Sequence, residues 1–184
     1  MRKESMFAYV MRITLTLLLI AAVVAAALAM VNSVTQPIIA DKNAKKTQQA
    51  IQTVLPGGYE SEVTNYADST GLVSKVYKGI NGYAVEVAPS GFDGAITMMV
   101  GIDLEGKVLG ISVITHTESA GLGAVAAANN SAGQSFRDQF IGQSGSVSVN
   151  KDGGNIDAIT NATITSRAVC DGVNAALACI AGLG

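Results

Sequence analysis

Tryptophan is absent from this chain of 184 residues, and the other aromatic side chains are few, with four Phe and five Tyr. A cofactor site built mainly on aromatic stacking is therefore not the first expectation. The chain also has only two cysteines and one histidine. Structural zinc sites take four Cys or His ligands and iron–sulfur clusters take Cys thiolates, so the composition argues against both and predicts no bound metal.

The two cysteines, Cys170 and Cys179, fall within one predicted helix near the C-terminus. Nine residues of helix correspond to about 13 Å along the axis and place the two side chains on opposite faces. The Cα atoms joined by a disulfide lie within about 7 Å of each other, so these two cysteines cannot pair without breaking the helix. We expect both to be small apolar packing residues.

Basic residues are scarce in most of the chain. From Thr47 onward there are twelve acidic and six basic residues, which gives a net charge of −6. An acidic domain repels a phosphate backbone, so the sequence predicts no nucleic-acid partner. The chain also lacks a Gly-rich dinucleotide fingerprint, a phosphate-binding P-loop and any internal repeat.

A long uncharged run near the N-terminus predicts a membrane anchor. Residues 13–31 contain no charged side chain, and as a helix they span about 28 Å, close to the hydrocarbon thickness of a bilayer. Arg2, Lys3 and Arg12 precede the run. The positive-inside rule then predicts a single pass through the inner (cytoplasmic) membrane, with residues 1–12 in the cytoplasm and the remaining chain on the periplasmic or extracellular side.

A cleaved signal peptide is the alternative for this segment, because Ala27-Leu28-Ala29 resembles a cleavage site. The apolar run is long for a signal peptide, which favours a retained transmembrane helix. Both interpretations export the domain that follows, and the intact mass of the mature protein would distinguish them.

After the span, residues 32–56 are predicted to form a linker and an exit helix, and residues 57–184 a single exported domain. The helical pattern covers residues 44–54 and is ended by Pro56-Gly57-Gly58. The predicted strands are 72–77, 83–87, 95–102, 108–115 and a short one at 146–149. The strands come in a run with tight turns at Asn81-Gly82 and at 103–106, which predicts antiparallel pairing.

Helical patterns dominate the last third of the chain. Short helical segments are predicted at 124–129 and 136–141, and a final helix is predicted to begin at Ser166. One apolar stripe of this helix contains Val169, Val173, Ala176, Leu177 and Ile180. Strands followed by helices indicate the α+β class, here one transmembrane helix followed by a single domain with antiparallel strands and a C-terminal helix.

The segment 157–166 brings several hydroxyl groups to the start of that final helix. Thr165 or Ser166 is the predicted N-cap. A helix start offers unpaired N–H groups and a partial positive charge, which suit a phosphate group. Ala162 leaves room for a ligand to approach the backbone. The alternative is an ordinary capped helix after a Thr-rich loop.

The pattern Asp157-x-x-Thr160-x-Ala162-Thr163 resembles the flavinylation motif, Asp-x-x-Ser/Thr-Gly-Ala-Thr, of flavin-binding domains in Rnf and sodium-pumping NADH:quinone oxidoreductase complexes. The resemblance implies that a flavin transferase takes FMN from FAD and attaches it as a phosphoester to Thr163. Asn161 replaces the usual Gly, and Asn tolerates left-handed backbone angles better than most residues. The resemblance also implies flavin-site roles for the rest of the motif: Asp157, Thr160, Asn161, Ala162, Ile164, Thr165 and Ser166.

A second segment supports the same family. The sequence His-Thr-Glu-Ser-Ala-Gly-Leu-Gly at residues 116–123 resembles the family's loop His-x-Glu-Thr-Pro-Gly-Leu-Gly, which lies against the flavin. The implied contacts are Thr117, Glu118, Gly121, Leu122 and Gly123. Thr117 and Glu118 are expected to orient the ligand by hydrogen bonds, with capping of the next short helix as the alternative for Glu118. His116 is assigned no acid–base role.

The resemblance covers nearly the whole chain, and the length favours the G subunit of the Rnf complex over the usually longer C subunit of the sodium-pumping reductase. It implies an electron-transfer subunit without catalysis of its own, in a complex that couples ferredoxin:NAD oxidoreduction to Na⁺ or H⁺ translocation. The implied partners are other membrane and redox subunits, a flavin transferase and the lipid bilayer. The alternatives are a C-type subunit, a membrane-anchored module that binds a phosphorylated ligand without a redox role, and a purely structural subunit.

Overall fold

The computed structural model describes residues 6–183 and confirms the α+β class. Its first element, α1, is a single helix of 49 residues, Met6–Val54, that ends just before Pro56. The exit helix predicted at 44–54 is therefore the last part of a longer helix. Pro37 lies inside α1 and removes one backbone donor, but the helix continues through it. The chain divides into two compact units after Ala44.

From Met6 onward, the N-terminal unit is exposed helix. Side chains of α1 from Met6 to Ala44 are exposed, and they include the apolar residues of the predicted span. A second helix of the chain, Thr163–Ala181, is also long and apolar enough to cross a membrane, but 67% of its most apolar window is buried. Composition alone therefore marks two candidates, and burial identifies the second as a core helix. The bounds 13–31 for the span stay a prediction.

A five-stranded antiparallel sheet forms the centre of the second unit. Its strands are β1 Ser61–Val63, β2 Val73–Gly79, β3 Gly82–Val87, β4 Thr97–Asp103 and β5 Val108–Thr115. Each strand pairs with the next one along the chain, so the sheet is a meander. The predicted strands corresponding to β2, β3, β4 and β5 are confirmed, as is the tight turn at 103–106. The other tight turn lies at Ile80 and Asn81, one residue earlier than predicted. The sequence did not predict β1, because this exposed edge strand has only three residues and Val63 is its one apolar side chain.

Both faces of the sheet are covered, and β4 shows how. Met98, Val100 and Ile102 contribute to the larger core cluster, together with the helix Thr163–Ala181, here called α3. A Cβ atom on Gly172 of α3 would collide with the Met98 side chain, so this glycine permits a close approach. Met99 points to the other face because side chains alternate along a strand. There it joins a second cluster formed by Ala50, Ile51, Val54, Leu55, Tyr77, Ala84 and Ile114.

The short strand predicted at 146–149 is wrong. The backbone of Val147 is paired with a side chain instead, since its N–H donates to Asn174 Oδ1 (2.7 Å) and its carbonyl accepts from Asn174 Nδ2 (2.8 Å). Only Val149 makes a strand-like contact, an isolated parallel bridge to Ile156. Polar and apolar residues do alternate in 146–149, as in a strand. The hydrogen bonds to Asn174 nevertheless hold this segment against α3 rather than in the sheet.

The two short helical segments are confirmed with shifted bounds. The first is a 3₁₀ helix, Gly123–Ala127. The second is α2, Ser131–Asp138, which begins earlier than the predicted 136–141. Its start is fixed by Asn130, whose side chain accepts a hydrogen bond from the Gly133 N–H at 2.9 Å. An N-cap asparagine satisfies one of the unpaired donors of the first turn and so extends the helix toward the N-terminus.

Cys170 and Cys179 are free and buried in the larger core, which confirms their packing role. Burial raises the pKa of the Cys170 thiol to about 12.

Twelve of the nineteen residues of α3 are buried, so the helix is enclosed on more than the one apolar stripe predicted. Small residues such as Ala168 and Ala175 account for this enclosure, since they allow neighbouring elements to approach.

Candidate functional site

A cavity of about 370 Å³ lies where three segments meet: the turn 91–94, the loop 116–123 and the start of α3. Small-molecule and cofactor sites have volumes of about 300–1,000 Å³, so the cavity falls in that range. Its lining consists of Phe92, Glu118, Ser119, Leu122, Gly123, Lys151 and residues 161–165. Both segments that carry the family resemblance therefore contribute to one cavity.

A tight turn leads into α3. The Ala162 N–H donates to the Ile159 carbonyl at 3.0 Å, which leaves Thr160 and Asn161 at the centre of the turn. Asn161 has a φ angle of 61°, and among the residues that the structure describes it is the one non-glycine with positive φ. Asn adopts left-handed angles at lower cost than most residues. This conformation explains how Asn serves at a motif position where Gly is usual.

The helix starts earlier than the sequence predicts, and both predicted N-caps are wrong. α3 begins at Thr163, and Ala162 occupies the N-cap position without a side-chain cap. The Ser166 hydroxyl instead accepts a hydrogen bond from the Ile159 N–H and donates to the Ala162 carbonyl, both at 2.9 Å. Ser166 therefore fastens the incoming turn to the helix. The start of α3 keeps backbone N–H groups without a side-chain cap, and it carries the partial positive charge of a helix N-terminus.

Thr163 is the first residue of α3 and lies half-buried in the cavity lining. Its Oγ1 accepts a hydrogen bond from Lys151 Nζ at 3.1 Å. Sequence reasoning missed Lys151, for which the only signal was a basic residue in an acidic domain. A lysine and an uncapped helix start next to one hydroxyl group form a suitable environment for a phosphoryl group.

Glu118 joins the three segments that surround the cavity. Its side chain is 7% exposed, and Oε1 accepts hydrogen bonds from the N–H groups of Phe92 (2.8 Å) and Asp93 (3.1 Å). Oε2 accepts a hydrogen bond from the Thr165 hydroxyl. A Cβ atom on Gly123 would collide with this carboxylate and with Thr165, so glycine is required where the loop passes them.

These contacts exclude one of the two predicted roles of Glu118, the capping of the next short helix. The N-cap position of the following 3₁₀ helix is Leu122, and no side-chain hydrogen bond caps it, so the capping role is wrong. Both carboxylate oxygens are bonded to the protein itself. Glu118 therefore holds the walls of the cavity in place.

The loop 116–123 is fastened to the turn 91–94 at two further points. The Thr117 hydroxyl donates to the Asp93 carbonyl at 3.0 Å, and the Ser119 hydroxyl donates to Asp93 Oδ2 at 2.6 Å. Thr117 is exposed and does not line the cavity. Its hydroxyl contributes to the loop's position rather than to the cavity surface.

Three other predicted site residues lie elsewhere. Asp157, Thr160 and Gly121 line a separate cavity of about 590 Å³ beside α2. Asp157 Oδ1 accepts a hydrogen bond from Asn150 Nδ2, and the Asp157 N–H donates to Gln139 Oε1, both at 2.7 Å. The structure therefore brings Thr163 into one cavity with Asn161, Ala162, Ile164 and Thr165, while Asp157 and Thr160 line the other cavity.

Large apolar side chains surround the Thr163 cavity and remain exposed. Phe92 is 65% exposed, Ile164 50% and Leu122 42%. Clustered exposed apolar residues typically mark a surface that binds a ligand or a partner. Apolar side chains beside a lysine and a helix start fit the two chemical parts of FMN, a flat ring system and a phosphate. The residues present therefore fit this cofactor.

Comparison with known proteins agrees with this chemistry. The family model of the FMN-binding domain matches residues 91–178. The G subunit of the Na⁺-translocating ferredoxin:NAD⁺ oxidoreductase complex of Acetobacterium woodii is 35% identical, over 90% of this chain and 88% of that protein. The G subunit of the ion-translocating oxidoreductase complex of Photorhabdus laumondii is 34% identical, over 86% and 84%. The G subunit of the proton-translocating ferredoxin:NAD⁺ oxidoreductase complex of Clostridium ljungdahlii is 31% identical, over 95% and 91%.

Proposed function

The chain belongs to the family of G subunits of ion-translocating oxidoreductase complexes, and on this premise we propose that it relays electrons through FMN bound covalently to Thr163. The observation that carries the proposal is the position of the Thr163 hydroxyl. It lies in a cofactor-sized cavity at an uncapped helix start, 3.1 Å from a lysine ammonium group. The exposed apolar side chains around it support a flavin as the ligand.

In the proposed attachment, Thr163 is the nucleophile. Its hydroxyl oxygen attacks the flavin-side phosphorus of FAD and forms a phosphoester bond. The bond between that phosphorus and the bridging oxygen of the pyrophosphate breaks, AMP leaves with the bonding electron pair, and the hydroxyl proton passes to a base of a flavin transferase. The helix start then stabilises the negative charge of the phosphodiester.

FMN, when bound, supplies the redox chemistry, and the chain's residues provide position and environment. Phe92, Leu122 and Ile164 exclude water from part of the cavity, while Glu118 holds the surrounding segments together. A phosphoester prevents loss of the cofactor outside the cytoplasm, where free FMN is scarce. Because the attachment uses the phosphate end, the ring stays free to exchange electrons.

The proposed setting is a membrane complex. Residues 13–31 form the single transmembrane helix, residues 1–12 lie in the cytoplasm, and residues 57–184 form the flavin domain on the periplasmic or extracellular side. The chain exchanges electrons with other membrane and redox subunits of an Rnf-type complex. Their shared activity is ferredoxin:NAD oxidoreduction coupled to Na⁺ or H⁺ translocation, and the chain needs no NADH or ferredoxin site of its own.

Peptide mass spectrometry tests the attachment. The full-length chain is produced together with a flavin transferase, denatured and digested. We expect the peptide that contains Thr163 to gain the mass of one FMN less one water, and Thr163→Val to lose this gain completely. Thr53→Val, which removes an exposed hydroxyl of α1, is the matched control and keeps the flavin. An unmodified Thr163 in the presence of active transferase would refute the proposal and favour a phosphoryl-ligand binding module without a redox role.

A further inference from the structure

Lys151 lies in a closed loop that brings it to Thr163. The loop, residues 149–156, is closed by the bridge between Val149 and Ile156 and by the Asn150 N–H, which donates to the Ile156 carbonyl at 2.8 Å. Inside it, residues 150–152 form a single 3₁₀ turn. We call residues 149–156 the lysine loop. Its closure fixes the backbone from which the Lys151 ammonium group contacts Thr163 Oγ1.

Two side-chain contacts hold the lysine loop in place. Their partners outside the loop are one residue that follows Thr163 in the sequence and one that precedes it. Arg167, one helical turn beyond Thr163, donates to both carboxylate oxygens of Asp152 at 2.7 Å. Asn150 Nδ2 donates to Asp157 Oδ1 at 2.7 Å. Exposed ion pairs add little stability, but a bidentate arginine–carboxylate pair fixes orientation. The contacts therefore act on the position of Lys151 more than on the stability of the fold.

We propose that the lysine loop positions the Thr163 hydroxyl for flavin transfer and then holds the resulting phosphodiester through Lys151. The proposal rests on the proposed function. The ammonium group donates to one lone pair of Oγ1, which restricts the direction of the hydroxyl. It also stabilises the negative charge that develops on the phosphoryl oxygens. Lys151 forms and breaks no covalent bond.

The proposal assigns an indirect role to Asp157. This residue belongs to the flavinylation motif, although it lines a cavity separate from that of Thr163. Its carboxylate holds Asn150, the residue next to Lys151. Asp157 is thus a positioning residue that acts on Thr163 through the lysine loop.

The test measures the kinetics of flavinylation, with the full-length chain in detergent as the substrate of a flavin transferase and FAD. For Lys151→Met we expect kcat to fall about tenfold, the effect of losing one charge-assisted hydrogen bond, with KM unchanged. Lys151→Arg should restore most of the rate, because it keeps the charge and the donor. Lys107→Met is the matched control, since Lys107 is exposed and paired with Glu105. It should leave both constants unchanged.

Asn150→Ala tests the indirect route. It should lower kcat by less than Lys151→Met, and the double variant should be no slower than Lys151→Met alone, because both changes act through one contact. Unchanged melting temperatures show that the variants are folded. Additive losses would overturn the role assigned to Asn150 and Asp157.

The outcomes separate this inference from the proposed function. A wild-type rate for Lys151→Met, with FMN on Thr163 of the parent chain, overturns the inference and leaves the function intact. A rise in KM with unchanged kcat also overturns it, because Lys151 would then be a docking contact for the transferase. A parent chain that accepts no FMN on Thr163 overturns both.

Discussion

The first turn of α3 has two sides, and hydroxyl groups on them have different surroundings. On the cavity side, Thr163 is half-buried and accepts a hydrogen bond from an exposed lysine, and Ile164 is half exposed. On the core side, Thr165 and Ser166 are buried, although Thr165 also forms part of the cavity wall. Their hydroxyls are bonded to Glu118 and to the backbone of the incoming turn. The side of the helix, rather than the residue type, decides which hydroxyl remains accessible from outside the protein.

Of the substitutions on the two sides of this helical turn, we expect one at Glu118, on the core side, to lower the stability of the fold most. Glu118→Ala leaves two backbone N–H groups and the Thr165 hydroxyl without their acceptor, and we expect the free energy of unfolding to fall by about 3 kcal/mol. Urea denaturation followed by circular dichroism measures the change. Glu105→Ala, at an exposed glutamate, is the control and should change stability by less than about 0.5 kcal/mol. Equal effects of the two variants would contradict the role of Glu118 as a structural link.

The two threonines provide the most direct contrast. Thr165→Val keeps the shape of the side chain but removes the hydrogen bond to the buried Glu118, which should lower the free energy of unfolding by about 1.5 kcal/mol. Thr163→Val should change it by less than about 0.5 kcal/mol while abolishing covalent flavin. Urea denaturation measures the stability of both variants, and the mass of the digested peptides shows whether each carries covalent flavin. If Thr165→Val alone lost the flavin, the assignment of the two sides would be reversed.

A smaller effect is expected in the turn that leads to Thr163. Asn161→Ala places a residue less suited to φ of 61° in the left-handed region, at a cost of about 1 kcal/mol. Asn161→Gly restores the usual motif residue and should change stability by less than about 0.5 kcal/mol, since Gly adopts this angle freely. Urea denaturation of the two variants measures both changes. A stability loss for the Gly variant as large as that for Ala would show that the Asn side chain, rather than its backbone, matters.

The smallest effect concerns the exposed ion pair of the lysine loop. The hydrogen bond from Arg167 lowers the pKa of Asp152, so the pair stabilises the folded state above the unfolded-state pKa, about 3.9. This contribution is lost as the pH falls through the lower folded-state value. Arg167→Leu should raise the pKa of Asp152 toward its ordinary value, as measured by NMR titration. A pKa that does not move would mean that the pair does not persist in solution.

Local signals account for the parts of the fold that the sequence predicts well. β5 has the predicted bounds, because turn residues and alternation define the hairpin within about twenty residues. The end of α1 follows from Pro56 and the two glycines after it. β1 was missed because a three-residue edge strand carries too little pattern, and its pairing depends on β2.

The position of the candidate site in the chain could be predicted from the sequence, but the contacts between its residues could not. The motif predicts Thr163 as the attachment residue, because a spacing of hydroxyl and small residues is a local property. The start of α3 was misplaced by three residues, because Ser166 binds the turn before it and Thr165 binds Glu118, 47 residues away in sequence. Lys151 reaches Thr163 only because the lysine loop closes, and no spacing rule anticipates that contact.

The sequence by itself determined the apolar N-terminal run, the antiparallel hairpins, the final helix and the threonine of the motif. Each depends on side chains within a few residues of one another. Only the tertiary structure decided that α3 is a core helix and that Thr165 and Ser166 are buried. It also decided that Lys151 contacts Thr163 and that Glu118 contacts Thr165 in the same helical turn. Those features arise from burial and hydrogen bonds between distant segments, whose partners are selected only when the sheet and helices pack.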